Sequence, residues 1–278
     1  MLLSRAALAA LMVLSAMLNA CAAVRSPAPP RIALLAAFEG RYRAAGYDAL
    51  YAARLALADG GIAVDLLPVD DGGSAQTAAD RAAALADDPD TIIVLLVGQA
   101  AAQHEVQHAL GDLPALIVGN AAASSVRDRV FQLSNRALPT RITLSPTADI
   151  VQAASAPAPF VADERLALPG FSALRPDLEG VTIVSAAALP TLDYTNRIQA
   201  SDPFAPPPGL LSMLVYDAVR IAIPAAYSAD RAQAARMLAA TQYFGLNGRI
   251  RFSDGWWADA PLYTYQYTER GELIAVRP

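Results

Sequence analysis

Between residues 31 and 118, segments with strand and helix patterns alternate, and the connections between them are short. The strand segments are continuous apolar runs, whereas the helical segments carry apolar residues three and four positions apart. Apolar strands that alternate with helices require a parallel sheet covered on both faces. The sequence therefore predicts an α/β fold with a doubly wound parallel sheet.

The predicted elements give four strand–helix steps. Ser74 is expected to cap the second helix, and Gly60-Gly61 is expected to end the first. The expected strands are Ile32–Phe38, Ile62–Val69, Thr91–Val97 and Ala115–Val118, and the expected helices are 46–59, 74–86 and 101–110. This number of steps amounts to half of a doubly wound domain.

The chain changes character at residues 136–206. This segment holds nine of the 20 prolines, and only Gly180–Ala186 has a firm strand pattern. Two helical patterns follow from Leu210, and three short strand patterns follow those, the last two at Leu262–Tyr267 and Glu272–Val276.

The N-terminus has the layout of a secretory signal, with Arg5, an apolar run and a small residue before Cys21. Cys21 is the only cysteine, so it cannot form an internal disulfide. The arrangement resembles a bacterial lipobox, in which Cys21 carries a lipid anchor. We expect residues 1–20 to be a signal peptide and 21–30 a lipid-anchored linker. The alternative is an uncleaved anchor helix or a buried thiol, although the apolar run is shorter than the roughly 20 residues that span a bilayer.

The charge composition argues against one class of partner. The net charge is −5 and the chain contains no lysine, so it lacks the basic patch that nucleic-acid binding needs. We therefore do not expect nucleic acid as a partner.

Several short segments occur in an order found in a known family. They are Ile32–Gly40 with Gly46, Val69-Asp70-Asp71-Gly72, Val97-Gly98, Gly119-Asn120-Ala121, Val130–Leu133, Tyr216-Asp217-Ala218 and Phe244–Phe252. Together they resemble the type I periplasmic binding proteins, the leucine/isoleucine/valine-binding family that serves ABC transporters. The last segment is similar to that family's closing F-x-G-x-x-G-x-I-x-F pattern. The resemblance covers residues 31–135 and 210–278.

The resemblance implies a non-enzymatic, extracytoplasmic solute-binding lipoprotein, held on the cell membrane by its lipid, that uses no cofactor. Its implied partners are a small-molecule ligand, such as an amino acid, and an ABC permease. Lobe one is assigned to residues 31–135 and 207–278. Because a βαβ unit takes roughly 30 residues, segment 136–206 is too short for an equal partner and is expected to form a truncated lobe two.

The candidate ligand contacts lie where strands of the implied fold end. They are Tyr42, Gln99, Ala100, Asn120 and Ser124, with Ser125 beside them. Three positions that grip the amino acid in the family fall on Ala45, Ala102 and Ala123. An amino acid's charged groups are costly to bury without hydrogen-bond partners, so binding in the family's usual manner is not expected. The alternative is a degenerate binding-protein fold that serves as a sensor or scaffold.

His104-Glu105-Val106-Gln107-His108 has the H-E-x-x-H spacing of zinc hydrolases. The third ligand of the extended pattern is missing, because Pro114 stands at its position, and only a carboxylate such as Asp112 or Glu164 could replace it. The competing interpretation is a crossover helix that turns His104 and His108 to solvent. Zinc hydrolysis is therefore the second alternative function.

Trp256-Trp257 is a further candidate. Neighbouring side chains on a strand point to opposite faces, so both indoles cannot face one core. Either one tryptophan is an exposed contact point, or one caps the sheet while the other covers contacts between the lobes.

Overall fold

The computed structural model describes residues 29–119, 128–145 and 148–276. The strands are β1 (Arg31–Ala36), β2 (Asp65–Asp70), β3 (Thr91–Val97), β4 (Ala115–Val118), β5 (Val130–Leu133), β6 (Phe160–Ala162), β7 (Val181–Ser185), β8 (Tyr243–Gly245), β9 (Gly248–Ile250), β10 (Phe252–Ser253), β11 (Trp256–Trp257), β12 (Tyr263–Tyr267) and β13 (Leu273–Ala275). The α-helices are α1 (Arg43–Gly60), α2 (Ala75–Asp87), α3 (His104–Ala109), α4 (Leu138–Arg141), α5 (Ile150–Ser155), α6 (Pro169–Leu174), α7 (Leu192–Ser201), α8 (Leu210–Ala226) and α9 (Arg231–Ala239).

The larger sheet has seven strands in the order β10-β11-β5-β4-β3-β1-β2, and β10 alone runs antiparallel to its neighbour. Side chains alternate along β1: Ile32 and Leu34 pack with residues of α1 and α8, and Ala33 and Leu35 pack with residues of α2 and α3. A strand period of two with helices on both faces is the doubly wound arrangement. The predicted fold class is confirmed.

The smaller sheet has four strands in the order β13-β12-β7-β6. We call the elements around this sheet the smaller lobe, and those around the seven-stranded sheet the larger lobe. Strands β12 and β13 come from the end of the chain, yet β12 pairs antiparallel with β7, for example Tyr265 opposite Ile183. This differs from the prediction, which placed residues 207–278 together in lobe one. Periodicity along a strand predicts the strand and which residues share a face, but it does not specify the partner strand.

Residues 136–206 are more regular than their proline content predicts, because they contain α4 to α7, β6 and β7. Helices α4 and α6 carry proline in their first turn, where its missing N–H costs nothing. A capping box forms at the start of α5. The carboxylate of Asp149 accepts from the N–H groups of Val151 and Gln152, and the Gln152 side chain accepts from the Asp149 N–H. Proline therefore marks helix starts here.

Hydrogen bonds tie together the segments that cross between the sheets. The Asn135 side-chain amide, after β5, donates to the carbonyls of Ala260 and Pro261, before β12, and so joins two of the segments that pass between the sheets. The third such segment follows β7, and there the Ala188 N–H donates to Asn247 Oδ1 at 2.9 Å.

The expected signal peptide, residues 1–20, and the expected lipidation site Cys21 lie outside the described residues. Among the helices that the structure describes, none is long and apolar enough to cross a membrane.

Candidate functional site

A cavity of about 370 Å³ lies where β1, β2 and β3 end. Strand β1 stands between β2 and β3, so the connection from β1 to β2 and the connection from β2 to β3 run in opposite directions along the sheet, which opens a crevice at the carboxyl ends of the strands. Apolar lining comes from Ala37, Ala45, Val97, Ala100, Leu168 and Leu211, and polar lining comes from Tyr42, Asp71, Ser74, Gln99, Gln103, Asp149 and Arg165. The cavity therefore has walls from both lobes and the size of a small-molecule site.

The turn after β2 brings the start of α2 to this cavity. The Asp70 carboxylate accepts from the N–H groups of Phe38 and Gly72, at 2.7 and 2.9 Å, and so joins the end of β1 to the turn. Ser74 then caps α2 by accepting from the Thr77 N–H at 3.1 Å, as predicted. The positive end of the helix dipole consequently faces the cavity.

Tyr42 connects the two lobes across the cavity. Its hydroxyl oxygen accepts from the N–H of Ile150 at 2.9 Å, at the first residue of α5. The adjacent Arg41 pairs with the α5 cap Asp149 at 2.5 Å. Burial raises the pKa of Tyr42 above its ordinary value, so the phenol keeps its proton at neutral pH and can donate it.

Among the described residues that line the cavity, Arg165 carries the cationic side chain. Its Nε donates to both carboxylate oxygens of Asp163, at 2.7 and 2.8 Å, and its Nη1 donates to Gln99 Oε1 at 3.2 Å. Burial disfavours the charged guanidinium, but the charge of Asp163 more than compensates and the pKa of Arg165 is raised. Asp163 therefore fixes one edge of the guanidinium, and the other edge lies toward Gln99 and the cavity.

Asp71 is a second buried charge on the wall. Its side chain accepts from the Gly73 N–H at 2.8 Å, and the residue is 2% exposed. Burial, together with the neighbouring Asp70 charge, raises the pKa of Asp71.

The structure brings three of the sequence-predicted contacts, Tyr42, Gln99 and Ala100, into this one cavity. Asn120, Ser124 and Ser125 lie outside the described residues, as does Ala123. Ala45 lines the cavity, whereas Ala102 is fully buried in the core around α2 and α3.

The sequence did not predict Arg165 as a site residue, because residues 136–206 were assigned to a truncated lobe two. The available signal was the charged run Asp163-Glu164-Arg165 directly after the short apolar run Phe160–Ala162.

The H-E-x-x-H segment forms the short helix α3. His104 and His108 are exposed, with ring centroids 4.4 Å apart, while Val106 and Leu110 are buried, as the crossover-helix interpretation predicts. Among the residues described, no three His, Cys, Asp or Glu side chains form a group that could hold a metal ion.

The two tryptophans of β11 differ in their surroundings. Trp257 is buried and donates its indole N–H to the Arg249 carbonyl at 2.9 Å. Trp256 is half-buried, and the guanidinium of Arg136 lies 5.7 Å from its ring.

The fold is similar to that of solved type I periplasmic binding proteins, as the motifs predicted. LivJ, a branched-chain amino acid transporter substrate-binding protein of Streptococcus pneumoniae in complex with isoleucine, has a TM-score of 0.67 and 12% identity over 90% of this chain and 100% of its own. The leucine-binding protein LivK of Thermotoga maritima has a TM-score of 0.66 and 14% identity over 89% of this chain and 98% of its own.

A third structure has a different bound molecule. The solute-binding protein of an ABC transporter from R. palustris, in complex with benzoate, has a TM-score of 0.66 and 14% identity over 89% of this chain and 95% of its own. No family model matches the chain, and no curated protein is similar to it in sequence. The similarity therefore concerns the fold, and these neighbours are substrate-binding proteins.

Proposed function

We propose that this protein, which has the type I periplasmic binding protein fold, is a non-enzymatic solute-binding protein. The observation that carries the proposal is the cavity of about 370 Å³ at the ends of β1, β2 and β3, which Arg165 and Leu168 of the smaller lobe also line. A site between two lobes can hold a solute by closing on it.

Thermal unfolding with and without solutes tests this proposal. A ligand present at 100 times its Kd adds about 2.7 kcal/mol to the free energy of unfolding. We expect a shift in melting temperature with at least one member of a panel of amino acids, short peptides and aromatic acids. Ala100→Phe, which fills the cavity, should abolish the shift, whereas Ala240→Phe, at an exposed position away from it, should preserve the shift.

We further propose that the protein is anchored by a lipid at Cys21 on the extracytoplasmic face and passes its solute to an ABC permease. The signal-like N-terminus and the single cysteine support the anchor. Metabolic labelling with a fatty acid should mark the wild-type protein and leave Cys21→Ala unlabelled and released from membranes. Equal labelling of the two proteins would contradict the anchor.

The alternative, a sensor or scaffold without free amino-acid binding, is supported by Ala45. This residue lines the cavity at a position where the family resemblance places a ligand-gripping side chain. If no solute shifts the melting temperature and the protein still associates with an envelope partner, the scaffold is the better account.

A further inference from the structure

We infer that strand β13, at the edge of the smaller sheet, pairs antiparallel with β13 of a second copy of this chain, across a two-fold axis that passes through Ile274. The inference is independent of solute binding, because none of the described residues that line the cavity at the ends of β1, β2 and β3 belongs to β13.

The two edges of the smaller sheet differ in how they are covered. At the β6 edge, the Val161 carbonyl accepts from the N–H groups of Thr143 and Leu144, at 3.0 and 3.1 Å. The Val161 N–H donates to Thr143 Oγ1 at 2.8 Å. Within the described part of the chain, β13 makes no backbone hydrogen bond on its outer side. An uncovered edge of this kind is a template for pairing with another strand.

The ladder between β12 and β13 shows which backbone groups point outward. The Glu272 carbonyl and the Val276 N–H each make a hydrogen bond of 2.8 Å to the backbone of β12 or of the residue that follows it. Hydrogen-bonded and non-hydrogen-bonded positions alternate along an antiparallel pair. The N–H and C=O groups of Leu273 and Ala275 therefore point away from β12, toward solvent.

The side chains of β13 add an apolar surface to this edge. Ile274 is 50% exposed and Val276 is 38% exposed, and the run Leu273–Val276 contains neither a charged residue nor a proline. Edge strands are commonly protected by charged residues, by proline or by being very short. In the larger sheet, the edge strand β2 carries Pro68 and the edge strand β10 has two residues. The run that includes β13 has neither form of sequence protection.

A second copy fits this edge because β13 is complementary to itself. Leu273 and Ala275, whose backbone groups point outward, are two positions apart. An antiparallel pairing centred on Ile274 therefore sets Leu273 of each copy opposite Ala275 of the other. Each such pair exchanges both of its hydrogen bonds, so all the outward groups of the two strands are satisfied. Ile274 then lies directly opposite Ile274 of the second copy, where the two side chains pack on one face of the sheet.

Charge and symmetry favour the same arrangement. Antiparallel pairing brings Glu272, at one end of β13, to the end of the second copy's strand after which the sequence continues with Arg277. A two-fold contact uses the same surface on both copies and closes after two. Because the β6 edge is covered, the smaller sheet has no second open edge to which a third copy could add. The expected assembly is a dimer joined through the smaller lobes.

Sedimentation equilibrium of the full-length Cys21→Ala protein tests the association without a lipid. We expect a dimer, and we expect Ile274→Lys to weaken it at least tenfold, because two ammonium groups would then lie directly opposite each other. Ile62→Lys is the matched control and should associate like the parent, since Ile62 is 51% exposed but lies in the larger lobe. A parent protein that is monomeric at about 100 μM would overturn the inference.

A mixture of Ile274→Lys and Ile274→Glu tests the two-fold symmetry of the contact. Each variant alone places like charges opposite each other, whereas the mixture brings opposite charges together across the axis. We expect the mixture to form a mixed dimer at concentrations where each variant alone is monomeric. Absence of the mixed dimer would refute the pairing of Ile274 with itself.

Single cysteines in the Cys21→Ala protein test the register, and they keep the inference testable if the charged variants do not fold. Across the axis the two Ile274 Cα atoms would be about 4.5 Å apart, which a disulfide can bridge. Ile274→Cys should therefore give a covalent dimer with an added oxidant. Ala275→Cys, whose Cα would be more than about 7 Å from its equivalent, should not, and neither should Ile62→Cys. Equal cross-linking of the three variants would contradict the register.

Discussion

Asp217 holds Asn247 by two hydrogen bonds: its Oδ2 accepts from the Asn247 backbone N–H at 3.0 Å and from the side-chain amide at 2.8 Å. Its Oδ1 accepts from the Leu246 N–H at 2.8 Å. Asn247 also donates to the Met213 carbonyl and accepts from the Ala188 N–H, both at 2.9 Å. One buried carboxylate therefore organises the turn between β8 and β9 and connects it to α8 and to a crossing between the lobes.

We expect Asp217→Ala to be strongly destabilising. Three N–H donors would lose their acceptor, and each buried donor left unpaired costs about 1 to 3 kcal/mol. The free energy of unfolding, measured with urea, should fall by roughly 3 to 5 kcal/mol. The exposed Asp193→Ala serves as a control and should change it little. A loss below about 1 kcal/mol for Asp217→Ala would show that the turn does not depend on this carboxylate.

Gly46→Ala should also destabilise the protein. A Cβ at Gly46 would lie 2.0 Å from the carbonyl oxygen of Ala37, so α1 would have to move away from the end of β1. Because the obstructing atom is backbone, we expect a loss of about 2 kcal/mol or more.

Gly170→Ala is the matched control for Gly46→Ala. Gly170 lies in helix α6, and an added Cβ would meet nothing within 4 Å. Alanine is the better helix former, so stability should be unchanged or rise by up to about 1 kcal/mol. Equal losses in the two variants would contradict the close approach of α1 to β1.

The sequence predicts the larger lobe well because its signals are local. The strands β3 and β4 coincide with their predicted bounds, and the Ser74 cap forms. A continuous apolar run bounded by turn residues is sufficient to define a buried parallel strand.

The smaller lobe was less predictable because its elements depend on distant partners. Strand β6 is three residues long and exists through pairing with β7, and β12 joins the same sheet from the end of the chain. For the same reason the sequence predicted Tyr42 and Gln99 on the cavity but not Arg165, which packing of the smaller lobe brings there.

Asp48 should make stability depend on pH. Burial raises the pKa of this carboxyl from 3.8 to about 6, although N–H groups of Gly209 and Ser212 partly offset the effect. The folded protein therefore binds this proton more tightly than the unfolded chain. The contribution of this bound proton to the free energy of unfolding is fully present below about pH 4 and is lost as the pH rises through about 6. The difference between the two pKa values corresponds to about 3 kcal/mol.

Asp48→Asn isolates this contribution. Other carboxyls change the stability with pH in the opposite direction, such as Asp88, whose pKa is lowered by the Thr91 hydroxyl and by Arg31. These carboxyls are present in both proteins, so their contribution cancels in the comparison. The free energy of unfolding of wild type minus that of Asp48→Asn should fall by up to about 3 kcal/mol between pH 4 and pH 7. A difference that stays constant over this range would rule out the raised pKa.

Tyr42→Phe should weaken solute binding while leaving the fold intact. The variant removes the hydrogen bond to Ile150 that joins the lobes across the cavity. A typical hydrogen bond contributes about 1 kcal/mol, so loss of the bond should shift the population toward open lobes and lower affinity about fivefold. Calorimetry with a solute that shifts the wild-type melting temperature measures the change. Tyr47→Phe, at an exposed ring outside the cavity, should bind like wild type. If Tyr42→Phe also binds like wild type, the bond between Tyr42 and Ile150 does not contribute to closure.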